Sequence, residues 1–172
     1  MTRRYLLLSL LPLLTLSCGY HVGGKGDLIP KSIQTLSIPS FSTNTTHYRL
    51  PDMLANQIGR EFTSRTRFTV VKDPSTADAV LNGTINSVVT YPTVSDPSSG
   101  KSTVVQTIAT LNVRLVQRAT GRVLYSRPNF VVRSYYEIAS DPHQYFDESG
   151  PAYTRLSQTV AQDVVSSVMD NF

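Results

Sequence analysis

The amino-acid sequence predicts an α+β fold in the order β-α-β-β-β-α. It is a mainly antiparallel, mixed four-stranded sheet with two amphipathic helices packed on one face. Three observations carry this expectation. From Val105 to Leu115 every second residue (Val105, Thr107, Ala109, Leu111, Val113, Leu115) is suited to a covered face. Gln106, Thr110, Asn112 and Arg114 fall between them, the alternation of a strand covered on one side and wet on the other. Two further stretches, near 51–64 and after 151, repeat apolar residues at helical spacing. The composition agrees, with 16% charged residues, no Trp, and plentiful Ser, Thr, Val and Tyr in 172 residues. That length fits one domain with a real core.

In chain order, Met1-Thr2-Arg3-Arg4 is a short positive segment and Tyr5 to Leu16 is an apolar run. The run has the length of an export-signal core and is too short to span a membrane as a helix. Ser17 is the small residue before a cut, and Cys18, the single cysteine, follows it directly. This is the arrangement of a lipoprotein signal, so residues 1–17 are expected to leave and Cys18 to carry lipid. One acyl chain binds a membrane only marginally, whereas two or more anchor stably. With one cysteine, no disulfide can form within the chain. Residues 18–30 then read as a lipidated N-terminus and glycine-rich tether, and 31–172 as the domain. Loss of Arg3 and Arg4 lowers the net charge from +4 to about +2, too little to suggest a nucleic-acid partner.

The first strand is expected from Ser32 to Ile38, closed by Pro39, and Ser40 to His47 is a polar loop. Pro51 suits the first turn of a helix to Ser64, with Leu50, Met53, Leu54, Ile58 and Phe62 on one stripe. Phe68 to Val71 is β-rich but broken by Asp73-Pro74. Ala77 to Thr90 restarts as a strand, with Ala79, Leu81, Gly83, Ile85 and Val89 assigned to one face. Tyr91 to Ser102, with two prolines and Gly100, reads as a long loop before the alternating strand. The turn at Ala119-Thr120-Gly121-Arg122 reverses the chain into Val123 to Tyr136, where Pro128 predicts a bulge or an edge. After a loop from Ile138 to Ser149, the last helix carries Tyr153, Leu156, Val160, Ala161, Val164 and Val168 on one stripe.

No catalytic set emerges. His21, His47 and His143 are far apart and lack metal-ligand neighbours at short spacing. There is no G-x-S-x-G elbow, and Gly23-Gly24-Lys25-Gly26 lacks the ending of a phosphate loop. The expectation is a protein with no enzymatic activity, no cofactor and no metal. Two loops, 91–102 and 138–149, are binding candidates, and an antiparallel meander brings both to one end of the sheet. The polar strand face of Gln106, Thr110, Asn112 and Arg114 is the candidate partner interface, suited to packing against another polar wall.

Cys18-Gly19-Tyr20-His21-Val22, then Leu28-Ile29-Pro30-Lys31-Ser32-Ile33 and Ile38-Pro39-Ser40-Phe41, resemble the opening of the LptE family of lipopolysaccharide-assembly lipoproteins. The resemblance continues in element order to the C-terminus. It implies a four-stranded sheet backed by two helices and an outer-membrane lipid anchor. It also implies a non-catalytic role, assisting assembly of the LptD β-barrel and plugging its polar lumen. Lipopolysaccharide would meet loop residues, for which Ser99, Gly100, Lys101, His143 and Tyr145 are the candidates. A rival from another class is a periplasm-facing regulatory lipoprotein that activates an envelope enzyme such as a peptidoglycan synthase. The tether from Gly19 to Ile29 reaches at most about 36 Å at roughly 3.3 Å per residue, which favours a partner in the same membrane.

Overall fold

A computed structural model describes residues 29–30, 32–95, 102–137 and 149–170. Its elements are β1 (Thr35–Ser37), β2 (Ser42–Thr43), α1 (Leu50–Arg65), β3 (Thr69–Val71), β4 (Ala79–Ser95), β5 (Ser102–Gln117), β6 (Val123–Glu137) and α2 (Ser149–Asp170). A single 3₁₀ turn, Pro74–Thr76, precedes β4. The α+β class and both helices are as expected. The sheet has six strands rather than four, in the order β3-β1-β4-β5-β6, with β2 pairing β4 off that path. The long strands β4, β5 and β6 form an antiparallel meander, while β1 and β2 lie parallel to β4 and β1 lies parallel to β3. The extra strands are β2 and β3, of two and three residues, too short to display a period.

Asp78 stitches the parallel part together. Its Oδ2 accepts the backbone N–H of Gln34 and of Thr35, both at 2.9 Å, and the Thr35 hydroxyl at 2.8 Å. The Asp78 N–H donates back to Thr35 Oγ1 at 2.9 Å. These donors favour the ionised carboxylate, so the backbone bond from Gln34 first, then those from Thr35, hold Asp78 below its ordinary pKa.

Both helices lie over the covered face. Leu54, Ile58 and Phe62 of α1 and Leu156, Val160, Val164 and Val168 of α2 join Leu81, Ile85, Leu111, Val113 and Leu115 in one core. Fully burying side chains of this size stabilises by about 1.5–3 kcal/mol each. Arg65 donates to Ser166 at 3.1 Å, linking the helices, and the Tyr125 hydroxyl donates to Ser167 at 2.9 Å, linking β6 to α2. Ile29, assigned above to the tether, is fully buried in the core, and its carbonyl accepts from Arg67 at 3.5 Å. The domain therefore takes in at least one residue of that tether.

Gly83 sits where only a glycine fits. A Cβ there would stand 2.1–2.3 Å from the ring of Phe41, itself only 3% exposed.

Two register shifts cross the meander at one level. Against β5, Ile85 pairs Leu111 and Ser87 pairs Thr110, so Asn86 is an extra residue in β4. On the other side Leu111 pairs Phe130 and Val113 pairs Arg127, so Pro128-Asn129 face Asn112 alone. The bulge expected at Pro128 is present, and among the described residues β6 is the edge of the sheet. The bulge at Asn86 was not expected, and an extra residue swaps the faces of all that follow. Val88, not Val89, therefore packs against the core, and Val89 is 52% exposed on the opposite face. The expected loop from Tyr91 is likewise shorter, because β4 runs on through Pro92 to Ser95.

Candidate functional site

The open face of the meander is the surface to which the helices do not contribute. Asparagines mark the line of bulges across it. Asn112 donates through Nδ2 to Asn86 Oδ1 at 3.2 Å, and its Oδ1 accepts the Asn129 N–H at 2.9 Å. Asn129 has φ +51°, a left-handed conformation that asparagine tolerates better than most residues. One side chain thus satisfies both bulges.

On the turn side of this line the open face is polar, with Asn82, Asn112, Arg114 and Ser126 exposed. On the far side the cross-strand rows change character. Tyr91 pairs Gln106 and Gln106 pairs Tyr135; Val89 pairs Ile108 and Ile108 pairs Arg133; Ser87 pairs Thr110 and Thr110 pairs Val131. Tyr135 is 57% exposed, Val131 40% and Tyr91 39%. With Val89 and half-buried Ile108, they make an aromatic and aliphatic patch beside the exposed Arg133. Cross-strand neighbours on one face lie close enough to act as one contact surface.

The four interface residues predicted from sequence divide accordingly. Asn112 and Arg114 are exposed and Thr110 is half-buried, all on the open face. Gln106 is only 8% exposed and donates to the Tyr135 hydroxyl, so it supports the surface rather than meeting solvent. The Tyr135-Tyr136 pair splits, with Tyr135 on the open face and Tyr136 half-buried on the other. Sequence reasoning missed Val89, Tyr91, Ile108, Val131 and Arg133. Ile108 and Val131 stand at the right parity and could have been found; Val89 and Tyr91 were hidden by the unmarked bulge.

Ser99, Gly100, Lys101, His143 and Tyr145 lie outside the described residues, as do Cys18 and the leader. The strand ends that flank the two loops meet at one end of the sheet, where Ser95 pairs Ser102 and Val104 pairs Glu137. His47 accepts or donates at Nδ1 to the Tyr153 hydroxyl at 2.9 Å. The two rings line a cleft of about 550 Å³ with Tyr48, Arg49, Met53 and Thr154. Among the described residues no group of three His, Cys, Asp or Glu could hold a metal. None of the described helices is long and apolar enough to cross a membrane.

The LptE family profile, described as lipopolysaccharide-assembly, matches residues 33–168. The chain belongs to the LptE family. The match spans every element from β1 to β6 and nearly all of α2, so both faces of the LptE sheet lie within it. Among curated proteins nothing matches significantly. Among solved structures the chain is similar to protein CT253 of Chlamydia trachomatis, with TM-score 0.52 and 12% identity, over 80% of this chain and 96% of that one. It is also similar to uncharacterized lipoprotein B of Nitrosomonas europaea, with TM-score 0.51 and 14% identity, over 80% and 83% of the two chains. At such identities the likeness concerns the fold.

Proposed function

We propose that this LptE-family chain is a lipid-anchored outer-membrane lipoprotein that assists assembly of an LptD-type β-barrel and plugs its lumen. In this reading residues 1–17 are removed, Cys18 carries the lipid, and no catalytic step is involved. The open sheet face is the surface that meets the barrel. The observation that carries the reading is the family match over 33–168, joined to an open face whose exposed polar residues include Asn82, Asn112, Arg114 and Ser126. The polar half of that face, with Asn82, Asn112, Arg114 and Ser126, suits a barrel interior, which is lined by polar side chains. The loops bearing Ser99, Gly100 and Lys101 and bearing His143 and Tyr145 are the proposed contacts for lipopolysaccharide during delivery to the cell surface.

Co-purification from detergent-solubilised outer membrane tests the barrel contact. Thr110→Asp and Arg114→Glu should fold normally yet recover much less barrel than the wild type, and full recovery with both removes the open face from the interface. Cys18→Ser should abolish acylation without unfolding the domain, and an unacylated wild-type N-terminus by mass spectrometry ends the anchor reading. For the lipid, Lys101→Glu should weaken lipopolysaccharide binding a few-fold, since exposed charge pairs contribute about 0–1 kcal/mol. The loss should shrink at high salt, and Arg60→Glu on the exposed side of α1 is the control.

A further inference from the structure

We infer that the cleft between the starts of α1 and α2 is a binding site for an acidic saccharide. It has a volume of about 550 Å³, and its walls come from the β2–α1 loop and the first turns of both helices. Small-molecule sites fall in this size range and combine apolar walls with a few placed polar groups. The His47 and Tyr153 rings, with centroids 5.1 Å apart and joined by a 2.9 Å hydrogen bond, form part of the wall. Leu50 and Met53 add apolar surface. Beside them Tyr48 is 82% exposed, more than any other large hydrophobic side chain among the described residues. Its ring packs on no other aromatic ring there.

The loop that carries these groups is held in place by its own hydroxyls. Thr43 of β2 accepts the Thr45 N–H through Oγ1 at 3.0 Å, and Thr45 Oγ1 accepts the His47 N–H at 3.3 Å. Binding then has little left to order. The chemistry of the lining selects the ligand. Arg49 is exposed, makes no ion pair among the described residues, and faces no carboxylate in the lining. Asp52, the nearest carboxylate in the sequence, is turned about 100° round α1 from Met53 and stands outside the lining. An unpaired guanidinium takes a carboxylate or a phosphate. The Thr46 hydroxyl and the second ring nitrogen of His47 are left for a ligand rich in hydroxyls. Thr154 donates to the Gly150 carbonyl at 3.0 Å and keeps its lone pairs to accept. An acidic sugar has the matching surfaces: a C–H face to lie on an aromatic ring, hydroxyls at its edge, and a carboxylate.

The test is calorimetric titration of the full chain in detergent with digalacturonate, its dimethyl ester, benzoate and inorganic phosphate. Digalacturonate should bind in the millimolar range or tighter, and the ester up to about fivefold more weakly, the scale of one exposed charge pair. Arg49→Gln should erase the difference between acid and ester, whereas Tyr48→Ala should weaken both by similar factors. Both side chains are exposed, so the thermal midpoint should stay unchanged. Benzoate or phosphate binding as tightly as digalacturonate overturns the saccharide. No binding at tens of millimolar, or binding that neither variant alters, overturns the site. Lys101→Glu, which tests the loop contacts, should leave digalacturonate binding unchanged, so the two readings fail separately.

Discussion

On the turn side of the asparagine line, the meander is flanked by β1 and β2 and backed by the largest core side chains, among them Leu81, Ile85, Leu111 and Tyr125. On the far side only three strands continue, because β4 has no outer partner beyond Ile85 among the described residues. There the covered face carries Thr107, Ala109, Val132 and Ser134 with half-buried Tyr136, while Tyr91, Val131 and Tyr135 lie exposed on the open face. The same three strands thus show mainly polar groups on the open face at the turn end and exposed aromatic and aliphatic ones at the far end. Burial makes the first half the source of stability, and exposure makes the second a surface for recognition.

The strongest way to break this comparison is Leu111→Asp, which buries a carboxylate at a fully buried position and should cost several kcal/mol. Thr110→Asp, one residue away on the open face, should leave the thermal midpoint nearly unchanged. Equal losses would mean that the sheet is not one-sided. Gly83→Ala comes next. It forces a methyl into the Phe41 ring and should cost about 1–3 kcal/mol by denaturant unfolding. Phe41→Leu in the same chain should recover part of that cost, and full additivity would show that the two do not meet.

At the line itself, Asn129→Ala should cost ~1 kcal/mol, because alanine resists the left-handed conformation, whereas Asn129→Gly should be close to neutral. A large loss with glycine would shift the importance from the backbone to the side chain. Acid probes the parallel part next to β4. Asp78 titrates near 3.8 when unfolded and lower when folded, so its contribution is full above 3.8 and is lost as pH falls through the folded value. Asp78→Asn should flatten the acid limb of the stability–pH curve, and an unchanged limb would assign it to other carboxylates. The smallest stability effect is expected for Tyr135→Ala, within roughly 1 kcal/mol, as the side chain is mostly exposed. If it nevertheless reduces recovery of the barrel, the far half is the recognising one.

The legibility of the sequence follows the same line. β5 could be read residue by residue, since the central strand carries no extra residue at the line and its alternation runs unbroken from Val105 to Leu115. β4 was read correctly up to Ile85 and inverted after it, because a bulge adds a residue without changing composition, and Asn86 looks like any strand asparagine. Pro128 announced the equivalent bulge in β6 because its missing N–H forbids ordinary pairing. Both helices were legible from their stripes. β3 showed only as the short β-rich run at Phe68 to Val71 and β2 not at all, since their pairing is set by distant partners such as Leu36 and Thr84 rather than by local pattern. Of the interface candidates, Asn112 and Arg114 followed from parity alone, while the burial of Gln106 depends on a tyrosine 29 positions away.

One extra residue on each side of an unaltered central strand makes the asparagine line a natural joint. The two added residues keep both ladders paired on either side, so these two slips fall at the same level of the sheet. A graft that exchanges 87–110 and 130–137 for another three-stranded segment would cut beyond Gly83, the Asp78 stitch and the parallel strands. The far half is in that sense a replaceable head on a fixed stock, and its length and chemistry can change without the core having to be rebuilt.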